Sequence, residues 1–309
     1  MANEEHNFLG ITSPFCDLES AAVAVLPVPY EGGVSYGHGA AEAPDAIIHS
    51  SAYIEFYDEI LKKEPYLMGI ATVAPVSSQI CPDEMAKAVA SRVEDILSLG
   101  KFPVIIGGDH SITSPAFFAV HENLKEDIGV IQLDAHADLR EIYEGTHLSH
   151  ACVMARIRER NPNTLQIGIR SMSIEEAEYV KLNDAQLCTM HEFRKKAFDI
   201  DQAINSLPDR IYLTIDLDVF DGSVIMNTGT PEPGGFVWDE ALSLIENIFY
   251  KKNVIGFDVV ELSAAPWDRY SPFAAAKLIY KMIGFKLSSE VHQKGCVWPE
   301  KPNGSIFKK

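Results

Sequence analysis

The sequence predicts an α/β fold built around a mainly parallel β-sheet. Short apolar runs of strand length alternate with longer amphipathic stretches, which is the pattern of successive β/α units. Several of these runs end in Asp, His or Glu, as expected where parallel strands deliver polar side chains to one edge of a sheet. The 309 residues, 47% of them apolar, contain no repeat, linker or change in composition. We therefore predict one domain over residues 1–309.

Six apolar runs are predicted strands, at residues 22–26, 103–106, 129–133, 165–169, 211–215 and 254–259. The stretch DEMAKAVASRVEDILSLG predicts a helix with an apolar stripe, an N-cap at Asp83 and an end at Gly100. The stretch DEALSLIENIFYKK predicts a second helix, with Asp239 as its N-cap. The turn-rich tail, about residues 290–309, is predicted to be peripheral.

Composition narrows the class of partner and compartment. The chain has 44 acidic and 26 basic residues, a formal net charge of -18, which disfavours nucleic acid and membrane surfaces as partners and suits a small cationic substrate. Its five cysteines are widely spaced and odd in number, which favours free thiols in a reducing cytosol. The N-terminal MANEEHNFLG lacks the basic-then-apolar order of a signal peptide. We therefore expect a soluble cytoplasmic protein.

The stretch LDAHADLR places three potential metal ligands at alternate positions after an apolar run, namely Asp134, His136 and Asp138. Alternate side chains of a strand share one face, so these three would project together from the end of the strand. A solvated strand end followed by a turn would explain an isolated D-x-H motif equally well. The other strand ends must decide between these interpretations.

Three further apolar runs end in the same chemistry, at His110, at the pair Asp216 and Asp218, and at Glu261. Four such ends meeting at one sheet edge indicate a metal site. Two histidines and four aspartates suit two divalent ions that share carboxylates. The oxygen-rich set favours manganese over copper or a structural zinc, while magnesium, cobalt and catalytic zinc stay chemically admissible. A water that bridges two such ions becomes a hydroxide near neutral pH, so hydrolysis is the implied reaction.

Five motifs in this order, GGDHS, LDAHADLR, TIDLDVFD, TGTPEPGG and VVELS, resemble the ureohydrolase family of arginases and agmatinases. The resemblance implies a three-layer α/β/α sandwich, two Mn²⁺ ions per chain and hydrolysis of a guanidinium group to urea and an amine. It also suggests a homo-oligomer, a trimer or hexamer. It assigns Glu261 to guanidinium binding and gives the metal ligands as His110, Asp134, His136, Asp138, Asp216 and Asp218.

The departing amine needs a proton, which Asp138 can relay while a nearby histidine exchanges protons with solvent. His147 and His150 are both candidates for that histidine. The family has its histidine just ahead of a small residue and a helix start, and HACVMARI matches that context. We therefore predict His150 as the proton-exchanging residue.

Two loops need separate interpretation. After the second D-x-D motif this chain has Gly222, Met226 and Asn227 where relatives usually have Pro, Pro and Gly, which affects loop rigidity or pocket shape. The Gly-rich EGGVSYGHG lacks dinucleotide and P-loop spacing, so we interpret it as a tight loop near the pocket. His38 within it is predicted to be a loop residue and not a ligand.

The predicted substrate depends on LREIYEGTHLS, which contains Glu141 and Glu144 and only Arg140 as a local cation. Negative charge here favours a second amine at the far end of the substrate. We therefore predict that the two glutamates bind substrate and that agmatine is hydrolysed to urea and putrescine, in polyamine biosynthesis. A merely solvated surface turn would carry no such information.

Three alternatives stay open at this stage. The enzyme could act on arginine, guanidinobutyrate or formiminoglutamate instead of agmatine. The chain could be a catalytically silent member that binds guanidines, although retention of all the ligand-type residues speaks against it. A metal-dependent amide deacylase of related architecture would typically need a single zinc ion and fewer carboxylates.

Overall fold

The computed structural model describes residues 6–33, 35–77, 81–294 and 298–299. Their strands form one sheet in which every pairing is parallel, in the order β2-β1-β3-β8-β7-β4-β5-β6. The strands are β1 (Val23–Val28), β2 (Ile70–Thr72), β3 (Phe102–Gly107), β4 (Gly129–Leu133), β5 (Thr164–Ile169), β6 (Gln186–Thr189), β7 (Arg210–Asp216) and β8 (Asn253–Val260).

The parallel sheet is confirmed, and the six predicted strands correspond to β1, β3, β4, β5, β7 and β8. Strands β2 and β6 were not predicted. They occupy the two outer positions of the sheet and contain three and four residues. Such short segments carry too little apolar periodicity to stand out in the sequence.

The described residues form nine α-helices. They are α1 (Ala43–Ser51), α2 (Pro82–Ser98), α3 (Thr113–Leu124), α4 (Val153–Arg158), α5 (Ile174–Leu182), α6 (Met190–Lys195), α7 (Ile200–Ser206), α8 (Trp238–Lys251) and α9 (Tyr270–Lys294). Among the helices described, none combines the length and the apolar character that crossing a bilayer requires. The four cysteines in the described part of the chain are free thiols.

Two apolar clusters cover the two faces of the sheet. Along β3, Val104 and Ile106 belong to one cluster and Ile105 belongs to the other, because successive side chains of a strand point to opposite faces. Helices α1, α8 and α9 pack in the first cluster, and α2, α3 and α4 pack in the second. The three-layer α/β/α arrangement is thereby confirmed.

The two predicted N-caps are wrong by a few residues. Helix α2 begins at Pro82 and helix α8 at Trp238, so Asp83 and Asp239 lie inside the first turn. Proline is suited to the first helical position because it lacks the N–H that would be unpaired there. In each helix the glutamate after the aspartate accepts the backbone N–H of the residue that precedes the helix. The aspartates then act through the helix dipole instead of as caps.

The predicted C-terminal tail is only partly described. Helix α9 continues to Lys294, so the helix includes the start of the segment assigned to the tail. Trp298 is buried against the first apolar cluster. Residues 295–297 and 300–309, with Cys296, lie outside the described residues.

The sheet order positions the candidate site. Strands β3, β8, β7 and β4 are consecutive neighbours at the centre of the sheet. These strands lead to His110, to Glu261, to the Asp216 and Asp218 pair and to the LDAHADLR motif, the last two of which begin at the final residue of their strand. Parallel strands end at the same edge, so four motifs that are distant in sequence meet there.

Candidate metal centre

Local turns aim the side chains at the end of each strand. The D-x-H and D-x-D motifs use the same device, in which the first carboxylate accepts the backbone N–H two residues later. Asp134 Oδ1 accepts the N–H of His136 at 2.6 Å, and Asp216 Oδ1 accepts that of Asp218 at 2.8 Å. Aspartate favours such turns because its short side chain reaches its own backbone. Each motif thus points two side chains into one space.

The GGDHS turn depends on close backbone packing. A Cβ added at Gly108 would lie 1.9 Å from the carbonyl oxygen of Tyr30, so only glycine fits beside the chain that leaves β1. Asp109 then caps a short 3₁₀ turn and accepts the backbone N–H of Ser111 at 3.0 Å. His110, 1% exposed, is delivered by this turn to the centre of the carboxylates.

One group of potential ligands comprises His110, Asp134 and Asp216. His110 Nδ1 lies 3.2 Å from Asp134 Oδ2 and 3.3 Å from Asp216 Oδ2, and 3.1 Å from Asp138 Oδ2. This nitrogen makes no hydrogen bond to any residue that the structure describes. A buried nitrogen of this kind, facing several carboxylate oxygens, is suited to a cation between them.

A second group comprises Asp134, His136 and Asp218. His136 Nδ1 lies 2.8 Å from Asp218 Oδ2 and 3.7 Å from Asp134 Oδ1. Asp134 belongs to both groups, with one oxygen directed toward each. A carboxylate shared in this way fits a pair of divalent ions. The predicted ligand residues are therefore brought together by the fold.

Charge repulsion within the cluster is large without cations. Burial, with the charges of Asp138 and Asp218, raises the pKa of Asp134 to about 8. Burial lowers the pKa of His136, but its hydrogen bond to Asp218 and the surrounding carboxylates prevail and raise it to about 10. Four buried aspartates in one place therefore need protons or metal ions to balance them.

A supporting layer beneath His110 escaped the sequence analysis. His110 Nε2 is 2.8 Å from Thr214 Oγ1, and this hydroxyl donates to Asp258 Oδ1 at 2.6 Å. Tyr212 Oη donates to the other oxygen of Asp258 at 2.7 Å. Such contacts orient an imidazole toward a metal. The available signal was a charged residue, Asp258, inside the apolar run VIGFDVV.

A second missed residue is Gln132, which supports the carboxylates from inside β4. Its Nε2 donates to Asp134 Oδ2 at 2.6 Å and lies 3.4 Å from Asp138 Oδ2. The residue is fully buried. A polar residue in the middle of the apolar run GVIQL was the signal that could have found it.

Two acidic residues of the site have a left-handed backbone, with φ of 52° at Asp138 and 65° at Glu261. This conformation is costly for residues other than glycine and is often retained at functional sites. Glu261 is buried, and its Oε1 accepts the backbone N–H of His110 at 2.7 Å. This bond ties the end of β8 to the turn after β3.

A cavity of about 240 Å³ is lined by His110, His136, Asp138, Asp216 and Glu261. His150 lines this cavity, whereas His147 is exposed and does not. Other residues at its wall, not assigned from the sequence, include Ser35, Arg140, Tyr143, Met172, Ser173, Glu176 and Thr230. The cavity therefore joins the carboxylate cluster, Glu261 and a histidine in one space.

Glu141 and Glu144, predicted to bind substrate, do not line this cavity. Glu141 has a 78% exposed side chain and forms an ion pair with Arg156 Nη2 at 2.9 Å. Glu144 is exposed in a tight turn, where it precedes Gly145. The sequence could not show this, because Arg156 lies fifteen residues away on α4. These two glutamates therefore supply no argument for agmatine.

The loop with the unusual residues is held by hydrogen bonds in place of prolines. Met226 donates its N–H to Ser271 Oγ at 2.9 Å, and Ser263 donates its N–H to the carbonyl of Asn227 at 3.0 Å. A Cβ at Gly222 would meet open space. None of the three substituted residues lines the metal cavity.

The Gly-rich loop after β1 is anchored beside the cavity. Gly33 donates its N–H to Asp109 Oδ2 at 2.7 Å, and Ser35 reaches the cavity wall. His38 is an exposed loop residue, as predicted, whose Nδ1 lies 2.6 Å from Glu31 Oε1.

Comparison with known proteins identifies the family. The family model described as "Arginase family" matches residues 21–284. The chain belongs to the arginase family. It is 38% identical over 272 residues to the N(1)-aminopropylagmatine ureohydrolase of Synechocystis sp., covering 86% of this chain and 89% of the relative. It is 31% identical over 277 residues to the agmatinase of Pyrococcus horikoshii, covering 88% and 94%.

A solved structure shows the same architecture. The agmatine ureohydrolase of Thermoplasma volcanium superposes with a TM-score of 0.81 at 29% identity, over 90% of this chain and 93% of that chain. The protein is thus an agmatinase-like ureohydrolase, a hydrolase of guanidino C–N bonds. The family is dependent on a binuclear metal centre, and this chain has the two ligand groups for one.

Proposed function

We propose that this ureohydrolase uses two Mn²⁺ ions to hydrolyse agmatine to urea and putrescine. The observation that carries the proposal is the position of Glu261, a buried carboxylate in the same cavity as the metal-ligand groups and His150. A guanidinium ion is planar and permanently charged, so it needs such a rigid carboxylate to orient it.

The donor set supports manganese. Carboxylates outnumber imidazoles, no thiolate belongs to either of the two groups found among the described residues, and Asp134 is common to both. We assign His110, Asp134, His136, Asp138, Asp216 and Asp218 as the residues that hold the two ions. When bound, such a pair supplies a hydroxide at neutral pH by lowering the pKa of water.

Glu261 orients the guanidinium over the carboxylate cluster. Its hydrogen bond from the His110 N–H and its left-handed backbone hold the carboxylate in one position. Because the Glu261 side chain is already ordered in the folded protein, less conformational entropy is lost when the substrate binds. The buried carboxylate of Glu261 favours a cationic group at this position.

Asp138 and His150 move the proton that the departing amine requires. Asp138 Oδ2 lies next to His110 Nδ1 at the bottom of the cavity, while His150 lies at the wall and is only partly buried. Asp138 is suited to relay the proton within the site, and His150 is suited to exchange it with solvent.

N(1)-aminopropylagmatine is the second candidate substrate. The Synechocystis relative carries that substrate in its name, and the Pyrococcus relative is named agmatinase. The two molecules share the guanidine and the chain attached to it, so the assignments of Glu261, Asp138 and His150 serve either one. They differ only at the far end, beyond the reacting carbon.

The test is release of urea by the Mn²⁺-loaded protein from agmatine, N(1)-aminopropylagmatine, arginine and guanidinobutyrate, with formamide release measured for formiminoglutamate. We expect kcat/KM for agmatine to exceed that for arginine at least about 100-fold, or roughly 2.7 kcal/mol. Equal activity on arginine or guanidinobutyrate would overturn the agmatine proposal. A higher kcat/KM for N(1)-aminopropylagmatine would select the second candidate.

The role of Glu261 is tested with Glu261→Gln, which keeps the shape and removes the charge. We expect kcat/KM to fall on the order of 10- to 100-fold with unchanged metal content, as a charge-assisted contact to the substrate is lost. Glu122→Gln, at an exposed ion pair with Arg160 on the surface, is the matched control. Loss of metal in Glu261→Gln would contradict a role in substrate orientation.

A further inference from the structure

Tyr143 lines the metal cavity next to His150, and none of the steps above uses it. The centroids of the two rings are 5.6 Å apart and their planes meet at 84°, an edge-to-face contact. Aromatic pairs favour this geometry because the ring edge is positive and the ring face negative. Tyr143 is therefore in direct contact with the proposed proton-exchanging side chain.

The backbone of Tyr143 is fixed by a tight turn. Its N–H donates to the carbonyl of Thr146 at 3.0 Å, and the N–H of Thr146 donates back at 3.1 Å. The two residues between them, Glu144 and Gly145, have φ of 48° and 83°. Two successive positive φ values are the signature of a rigid two-residue hairpin turn. The loop thus presents Tyr143 from a defined position.

Arg140 makes a second contact with the ring of Tyr143. The guanidinium carbon of Arg140 lies 5.3 Å from the centroid of Tyr143, within cation–π distance. Arg140 also donates its backbone N–H to the carbonyl of Ala151 at 3.1 Å, and Ala151 directly follows His150. Tyr143 and Arg140 therefore both contact the turn that contains His150, Tyr143 through its ring and Arg140 through its backbone N–H.

The ring nitrogens of His150 have two polar contacts with residues that the structure describes, and both are long. Nε2 lies 3.5 Å from Ser35 Oγ, and Nδ1 lies 3.4 Å from Ser149 Oγ. Hydrogen bonds at such distances are weak and constrain the orientation of the imidazole little. The edge-to-face packing against the Tyr143 ring therefore adds a constraint on the plane of this side chain.

We propose that Tyr143 is a positioning residue for His150, whose ring holds the imidazole toward the cavity for proton exchange. The inference rests on the proposed function of His150. If Tyr143 acts through His150, removing the Tyr143 ring should lower kcat only slightly in a variant that already lacks His150. It also predicts that the ring, and not the hydroxyl, is required.

A double-mutant cycle tests the coupling, using urea release by the Mn²⁺-loaded full-length protein. Tyr143→Ala should lower kcat about 10- to 100-fold with little change in KM, because misplacement of a catalytic group is costly. In the His150→Ala background the same substitution should change kcat less than about twofold. Tyr143→Phe, which keeps the ring and removes the hydroxyl, should retain a kcat within about threefold of wild type. Tyr250→Ala, at a tyrosine that is 88% exposed on α8, is the control for loss of a ring elsewhere.

A spectroscopic readout is independent of turnover. In the full-length protein loaded with diamagnetic Mg²⁺, the His150 ring-proton resonance, assigned by its loss in His150→Ala, should shift in Tyr143→Ala and persist in Tyr143→Phe. A nearby aromatic ring changes the local magnetic field, so this shift reports the contact itself. If wild type releases no urea from any guanidine, the proposed function fails while the resonance still tests the contact. Additive losses in the cycle, a change confined to KM, or an unmoved resonance would overturn the positioning role.

Discussion

The carboxyl edge of the central sheet and the loop at residues 139–149 both face the cavity, yet they differ in how they are held. At the sheet edge, the ligand-type residues lie at the ends of four adjacent parallel strands, and all of them except His136 are buried. His110 and Asp134 also have hydrogen-bonded partners. The loop contains exposed residues and one tight turn, and only some of its side chains reach the cavity. The sheet therefore holds the candidate metal ligands, while the loop forms part of the cavity wall around them.

The largest effect should come from removing the shared ligand at the sheet edge. Asp134→Asn keeps the volume of the side chain but lowers its charge, and both ligand groups contain this residue. We expect the Mn²⁺ content to fall from two per chain and activity to fall more than about 1000-fold, because the paired ions generate the nucleophile. Elemental analysis and urea release measure the two quantities.

Wild-type protein in the same preparation is the control for metal loading. One tightly held zinc per chain in wild type would contradict the binuclear proposal. Asp218→Asn should give a similar loss, since Asp218 pairs with His136 in the second group.

The next effect compares two histidines at the edge of the loop. His150→Ala should lower kcat about 100- to 10,000-fold at unchanged metal content, as for loss of a general acid–base group. His147→Ala, at an exposed residue outside the cavity, should change kcat less than about twofold. Added imidazole should partly restore His150→Ala. The opposite ranking of the two variants would show that the proton route runs through His147.

A third effect concerns stability and pH at the sheet edge. The folded protein without metal raises the pKa of Asp134 to about 8 and that of His136 to about 10, both above their ordinary values. The folded state then binds more protons than the unfolded state, so stability falls as pH rises, from about pH 4 to 8 for Asp134 and from about 6.5 to 10 for His136.

Thermal unfolding after treatment with a chelator measures this effect. We expect Tm of the metal-free protein to decrease between about pH 6.5 and 10, and the gain in Tm on adding Mn²⁺ to increase over the same range. Asp134→Asn should flatten the metal-free profile. A Tm that rises with pH would be inconsistent with these pKa shifts.

The smallest change in activity is expected for a substitution at Glu141, in the loop at residues 139–149. Glu141→Gln removes the exposed negative charge that pairs with Arg156, outside the metal cavity. We expect kcat/KM for agmatine to change less than about twofold and stability by about 0–1 kcal/mol. A large rise in KM for agmatine would instead support the sequence-based prediction that Glu141 binds the far end of the substrate.

Much of the site was predictable because its information is local. Each ligand-type residue follows an apolar run within a few positions, and the carboxyl ends of parallel strands necessarily share an edge. The predicted strands are therefore sufficient to place His110, Asp134 and Asp218 in one region. The D-x-H and D-x-D spacing also set the local turns, since an aspartate reaches the backbone two residues later.

The α/β class, the parallel sheet, the metal-ligand candidates and the family resemblance could all be predicted from the order of the residues. Which charged side chains reach the cavity depends on tertiary packing. Arg156, which lies on α4, forms an ion pair with Glu141 outside the metal cavity. Tyr143 contacts His150 from a turn whose orientation depends on packing. Asp258 supports His110 from a strand nearly 150 residues away. Apolar periodicity indicates the local secondary structure of a few neighbouring residues. Contacts between residues that are distant in sequence depend on how the helices and strands pack together.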